Sequence, residues 1–438
     1  YSMYKPIAEN DTTTIRALLN LYRKFYRAIG TVIFVIGLCL TPFLRLLIHE
    51  SLPQNINIYI LYLLYLLNAV LSYWLFAYKS AVLQAFQRND VESKIAMLIT
   101  PLSYAVMLGT LFLTRNYYAY IIWLPIFTTI TNVIRLIYVD KNFPGLEPEG
   151  EISQELRKSI VKKVKALIGT KLNTVVLNAA DNIVIAAFFG LTTIAIYGNY
   201  YYIMSSIIGF LGIVYSAMTA GLGNSIAMES VEKNYRDFMK FSFMNSWLVG
   251  WCTICLICLY QPFMYLWTGK ELLFPFYIVI EFGVYFYIYQ IRKIPVTYKD
   301  AAGIWWEDRF RPYICMVVNL GLNILLAQVI GISGILISTV ISLCISIPWE
   351  NYTIFKYIFH RESWEYYRKM AYYAVTVFIA GIVTFVACKP WGNNFPALII
   401  RGGICIVIPN LIIILGNFKG EEFHDTKEFL LRILKSRE

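Results

Sequence analysis

The 438-residue chain is poor in charge. Asp, Glu, Lys and Arg make up 15% of it, where a soluble domain carries about 25%. Apolar side chains fill the gap at 58%, and mean hydropathy is +0.58. That balance excludes a soluble enzyme, a disordered chain and a coiled coil. Histidine is almost absent: His49, His360 and His424 lie near loops or tails, far apart in sequence. No Walker P-loop, zincin motif, G-x-S-x-G or D-x-D occurs. An ATP-driven pump with its own motor and a membrane glycosyltransferase are thereby disfavoured. Long hydrophilic loops are missing on one side, which disfavours a surface-polysaccharide polymerase. The eight cysteines all fall in apolar runs, so they form no secreted disulfide framework. Cys252, Cys255 and Cys258 have metal-motif spacing, but no His or acidic ligand lies beside them. They read as packing residues on one helix face.

What is present is a succession of long apolar segments. A membrane span takes roughly 20 apolar residues, so twelve spans need roughly 240. The composition offers about that. The twelve segments lie at about 28–48, 57–78, 95–114, 117–139, 168–190, 192–217, 240–262, 271–291, 312–330, 332–355, 369–388 and 396–416. An all-α polytopic membrane protein follows. Net charge is +11, which in a soluble protein would suggest nucleic acid. Here Lys and Arg belong on cytoplasmic loops, and no nucleic-acid partner is expected. Alternate loops and both visible ends hold all but five of the 38 Lys and Arg; the five are Arg45, Arg115, Lys270, Lys389 and Arg401. Both ends are therefore expected in the cytoplasm, at the plasma membrane.

A weak repeat runs at a fixed offset of 220 residues. Ala8-Glu9 matches Met228-Glu229, Pro42-Phe43-Leu44 matches Pro262-Phe263-Met264, and "YKSA" from Tyr78 matches "YKDA" from Tyr298. Each pair keeps the same topological place, as parallel transporter repeats do. One repeat then has six spans and the other four, so two further helices are expected before Tyr1 in a fourteen-span protein. The expected division is 1–139 for the rest of an N-terminal lobe and 140–167 for a cytoplasmic linker with an amphipathic helix. A six-span lobe at 168–357 follows, then two extra spans and a tail at 358–438.

Polar groups inside spans are costly unless they face a cavity or a partner. The fifth segment carries Lys171, Thr174, Asn178, Asp181 and Asn182, most of them on one helix face. The eighth carries Glu281, Tyr285, Tyr289 and Arg292; the ninth adds Asn319 and Asn323, and the last holds Arg401. Arg292, Arg135 and Glu350 fit snorkelling at the inner boundary. Asp181 and Glu281, deep in their spans, fit a functional or pairing role.

Several runs resemble those of polysaccharide flippases. "YSMYKPIAENDTTTIRALLNLYRKFYRAIG" is similar to the lead into their third helix, and "YKSAVLQAFQRND" to the connection after the fourth. "LNAADNIVIAAFFGLTTIAIYGNYYYI" resembles their seventh and eighth helices, and "GLGNSIAMES" the entry to the ninth. The resemblance is to the Wzx-type exporters of surface-polysaccharide repeat units, in one superfamily with lipid II flippases and MATE drug exporters. It implies two pseudo-symmetric six-helix lobes around a central cavity plus two C-terminal helices. It also implies translocation of a polyprenyl-diphosphate-linked oligosaccharide, with membrane lipids and a polysaccharide polymerase as partners. Lys171, with Arg45, Arg292 and Arg401 behind it, would face the diphosphate. Asp181 and Glu281 would bind a coupling cation (H+ or Na+), hold the cations or bond sugar hydroxyls, beside Asn178 and Asn182. No catalytic residue, resident metal or other cofactor is expected. Cation-coupled drug export of the MATE type is the second expectation and a membrane enzyme the third.

Overall fold

The computed structural model describes residues 3, 6, 7, 9, 11–44, 56–86 and 88–435; side chains at 89, 159, 162–179, 220, 227, 430 and 433–435 lie outside that description. Among the described residues the chain is helical and has no strand. Fifteen helices matter here: α1 Thr12–Leu40, α2 Ile58–Trp74, α3 Lys79–Ala85, α4 Asn89–Thr114, α5 Tyr117–Ile121 and α6 Trp123–Asn142. They continue as α7 Gln154–Met228, α8 Val231–Thr268, α9 Phe276–Ile291, α10 Lys293–Ala302 and α11 Arg311–Ile330. The last are α12 Ile332–Ile354, α13 Trp364–Cys388, α14 Phe395–Asn417 and α15 Glu421–Lys435.

Local chemistry sets where these helices begin. Asp11, Asn57, Asn116, Ser230 and Asn394 each accept a backbone N–H of the first turn, the standard way to satisfy donors that have no partner inside the helix. Gly190 interrupts α7 at φ 83°, ψ 176°, backbone that only glycine enters without strain. That interruption separates the fifth and sixth expected segments.

By length and apolarity nine helices among the described residues can cross a membrane, or ten if α2 and α3, bent by 54°, form one span. The expected twelve are not reached by that measure, for two reasons of geometry. The fifth and sixth segments share one continuous element across Gly190, and α9 has only 16 residues. Every expected segment nevertheless falls on a helix.

The chain divides into two compact units, Tyr1–Lys165 and Ala166–Glu438. The first is centred on Leu18, Leu19, Val82, Leu83 and Val139. Lys79 is buried there and pairs with Asp140. Arg135 grips Glu92 with two bonds of 2.7 and 2.8 Å. The second unit is centred on an aromatic cluster that includes Phe238, Phe282, Phe286, Tyr298 and Phe359. Within it α8 packs against α9, α13, α14 and α15, and α11 packs against α12. The tail helix α15 returns to α8, where Arg236 holds Asp425 through bonds of 2.7 and 2.5 Å.

Candidate functional site

Two rows of residues at a spacing of four build the polar interior of the second unit. On α11 the row is Arg311, Cys315, Asn319 and Asn323; on α12 it is Ser338, Ser342, Ser346 and Glu350. A spacing of four defines one ridge of a helix, and ridges of neighbouring helices interlock. The rows meet rung by rung. The Ser338 hydroxyl donates to Asn323 Oδ1. Asn319 Nδ2 donates to Thr339 Oγ1 at 3.2 Å. The Ser342 hydroxyl donates to the Cys315 carbonyl at 3.0 Å. Arg311 donates to Ser346 Oγ at 2.8 Å. Twelve residues of helix, about 18 Å, separate the first rung from the last. The hairpin that sets this register turns at Gly331, φ 67°.

One end of the seam meets Asp181, which is buried. Asn323 Nδ2 donates to its Oδ1 at 2.8 Å, and the Tyr197 hydroxyl donates to its Oδ2 at 3.3 Å. Asn323 is fully buried, and its amide also reaches Asn319 Oδ1 at 3.4 Å. Tyr201 and Tyr285 lie alongside. The first half of α7, its second half, α9, α11 and α12 thus converge on one carboxylate. No Lys, Arg or His pairs with it among the described residues. Carbonyl, hydroxyl and carboxylate oxygens are hard donors, the chemistry that suits a small hard cation or a proton.

The other end is a buried ion cluster. Arg311 donates to Asp308 at 2.7 Å and approaches Glu350 at 3.0 Å. Lys299 pairs with Asp308 from α10. Arg292, at the end of α9, bonds Ser346 Oγ at 3.0 Å and lies 3.4 Å from Glu350. Three cations face two anions, so the cluster carries one excess positive charge. Both Glu350 oxygens lack a well-directed hydrogen bond; charge alone holds them. Burial pushes the Asp308 carboxyl up, but the hydrogen bonds and charges of Arg311 and Lys299 outweigh burial and hold it below its ordinary 3.8.

The sequence-derived site residues do not form one stripe. Asp181, Asn319 and Asn323 come together; Asn182, one residue on, is exposed, because successive helical residues point about 100° apart. Glu281 lies beside Ser333 and leaves one buried oxygen unpartnered; no bond joins it to Asp181. Arg401 donates to the Trp391 carbonyl and lies near Cys388 and Cys405. Arg292 and Glu350 belong to the buried ion cluster, and Arg135 pairs with the half-buried Glu92. Arg45 and the side chains of Lys171 and Asn178 lie outside the described residues. Sequence reasoning missed Tyr197, Ser338, Ser346 and Arg311. The four-residue spacing from Ser338 to Glu350 was the available signal. Serine in an apolar run is nearly neutral in hydropathy, which hid it.

No protein-family model matches the chain, and no curated protein matches it. Solved structures do. The fold is similar to that of the lipid II flippase MurJ in an inward closed conformation, with a TM-score of 0.67 and 15% identity over 94% of this chain and 91% of that one. It is also similar to an inward-facing multidrug-resistance MATE transporter of the MOP superfamily, with a TM-score of 0.59 and 14% identity over 81% and 84%. The outward-facing form of a MATE transporter gives 0.50 and 13% over 81% of each chain. At these identities the likeness is one of fold. The chain is a multi-pass helical membrane protein with the architecture of these transporters.

Proposed function

We propose that this protein moves a polyprenyl-diphosphate-linked oligosaccharide from the inner to the outer leaflet by alternating access, for surface-polysaccharide assembly. The observation that carries the proposal is the extent of the fold likeness. It takes in 94% of this chain and 91% of the lipid II flippase, whereas the MATE likeness takes in 81% of this chain. The coarser reading, a transporter of the MOP type, rests on both.

The physical problem such a protein solves is the transfer of sugar hydroxyls and a diphosphate through hydrocarbon, where unpaired polar groups and charges are costly. Buried polar side chains replace water for the head group while the lipid tail stays in the bilayer. Diphosphate calls for charge-assisted donors, and Lys171, Arg45 and Arg292 are the proposed ones. Arg292 is the member of the ion cluster with the weakest hold on an anion. Asp181, with the side-chain oxygens of Asn319, Asn323, Ser338 and Thr339, would take the coupling cation, H+ or Na+. Occupancy of that site would bias the two access states by its differential affinity for them. A polymerase working on the exported units is the partner this implies.

The test is transport in proteoliposomes with a fluorescent lipid-diphosphate oligosaccharide and a membrane-impermeant quencher. The wild-type protein should expose the probe, and Asp181→Asn and Lys171→Ala should slow exposure by at least about tenfold. Efflux of organic cations by wild type, with no movement of the lipid probe, would replace this reading with drug export.

A further inference from the structure

Three cysteines far apart in sequence meet in the second unit. Cys258 of α8, Cys388 at the end of α13 and Cys405 of α14 bring their sulfur atoms within 4.8 Å of one another. All three are buried, in a small core with Ile254, Val377, Ala380 and Ile413. A fourth thiol is adjacent: Cys255, one turn before Cys258, donates to the Cys405 carbonyl at 3.9 Å. Trp251 donates to the same carbonyl at 2.8 Å, so the helix that carries Cys405 is held in place beside α8. The Arg401 guanidinium lies near Cys388 and Cys405, and its Nε is buried without an acceptor.

We propose that Cys258, Cys388 and Cys405 form a thiolate site for one zinc ion. Zinc–sulfur bonds are about 2.3 Å, which puts sulfurs of a tetrahedral site roughly 3.8 Å apart. Sulfurs within 4.8 Å of one another are within about 1 Å of that separation. Charge selects the ion. Three thiols lose their protons to the solvent on binding, and Zn2+ with three thiolates and a neutral fourth ligand such as water carries one negative charge. Arg401 supplies the balancing positive charge, and its free Nε finds an acceptor in a thiolate. A neutral assembly is the kind that hydrocarbon surroundings tolerate. A disulfide would use two of the sulfurs and leave the third thiol and Arg401 without a role. The site would fasten α13 and α14 to α8. None of its residues belongs to the Asp181 seam, and Arg401, expected at the diphosphate, is assigned here instead.

The test is metal content of the purified full-length protein, kept reduced and passed over a weak chelating resin. About one zinc per chain is expected, with binding that weakens as pH falls because protons compete for the thiolates. Cobalt exchanged into the protein should give the intense sulfur-to-cobalt absorption of a tetrahedral thiolate site. Cys405→Ser and Cys388→Ser should each lower retained zinc at least about tenfold, and Cys344→Ser, an exposed cysteine elsewhere, should leave it unchanged. Wild-type protein without zinc, or with a disulfide among these cysteines in place of zinc, overturns the proposal whatever the variants do. Equal zinc in the wild type and a well-folded Cys405→Ser variant also overturns it.

Discussion

At the scale of single residues the account turns on buried charges and their partners. Asp308 sits between Arg311 and Lys299, and it is only 3% exposed. Removing one partner of a buried pair costs about 3–5 kcal/mol, because the remaining charge stays buried. Asp308→Asn should therefore lower stability by that order, read as a drop in Tm of the purified protein at pH 7. Its carboxyl is held below the ordinary value, so its stabilisation is present above about pH 4 and fades as pH falls through the native value. The variant's deficit should shrink on acidification. A deficit that stays constant between pH 7 and pH 3 would contradict the assignment. The Lys79–Asp140 pair predicts an asymmetry. Lys79 is buried, while the Asp140 side chain is 54% exposed. Asp140→Asn strands a buried ammonium and should cost more, by about 2 kcal/mol or greater, than Lys79→Met, which leaves a carboxylate that water can reach. Chemical unfolding of the two variants compares them directly. The two ends of the polar seam were unequally legible in sequence. Asp181, Asn319 and Asn323 stood out because amides and carboxylates are rare in apolar runs. Lys299, Asp308 and Arg311 did not, because a loop rich in charge reads as solvated until the fold buries it.

At the scale of elements the α11–α12 hairpin organises the site. A side chain at Gly334 would place its Cβ 2.3 Å from the backbone carbonyl of Leu326. Backbone cannot move aside as a flexible side chain can, so the helices must separate. Gly334→Ala is expected to destabilise the protein by about 1–3 kcal/mol and to reduce transport by slipping the rungs between Asn323 and Glu350. Measured stability and transport should fall together; a variant of normal stability and normal transport would show that the close approach is not needed. The break in α7 has a different cause. Gly190 is held at positive φ, so Gly190→Ala strains the backbone itself. Helix identity and order were readable from apolar run length. The bend between α2 and α3 was not, because run length carries no information about the angle between successive pieces.

At the scale of the whole molecule the 220-residue repeat has a structural counterpart. Tyr78 and Tyr298, matched in the repeat, are both buried, and each is followed by a buried lysine paired with an aspartate. Each unit also joins two successive spans by an Arg–Glu pair near one end. The signs are exchanged: Glu92 on α4 pairs with Arg135 on α6, and Arg311 on α11 pairs with Glu350 on α12. The repeat was visible in short motifs because the "YK" pair is fixed by burial in both units. The Cys258, Cys388 and Cys405 cluster had no such signature, since its members come from three helices that only the fold brings together.

The central claim is that this fold carries a lipid-linked oligosaccharide across the membrane. Its most direct test deletes the full-length gene and asks on which leaflet lipid-linked oligosaccharide accumulates, using a membrane-impermeant sugar probe on intact cells and on opened vesicles. The account predicts accumulation on the cytoplasmic leaflet, reached only in opened vesicles, relieved by wild type and not by Asp181→Asn. Oligosaccharide exposed normally on intact cells of the deletion strain, in a background without a second exporter, would contradict it.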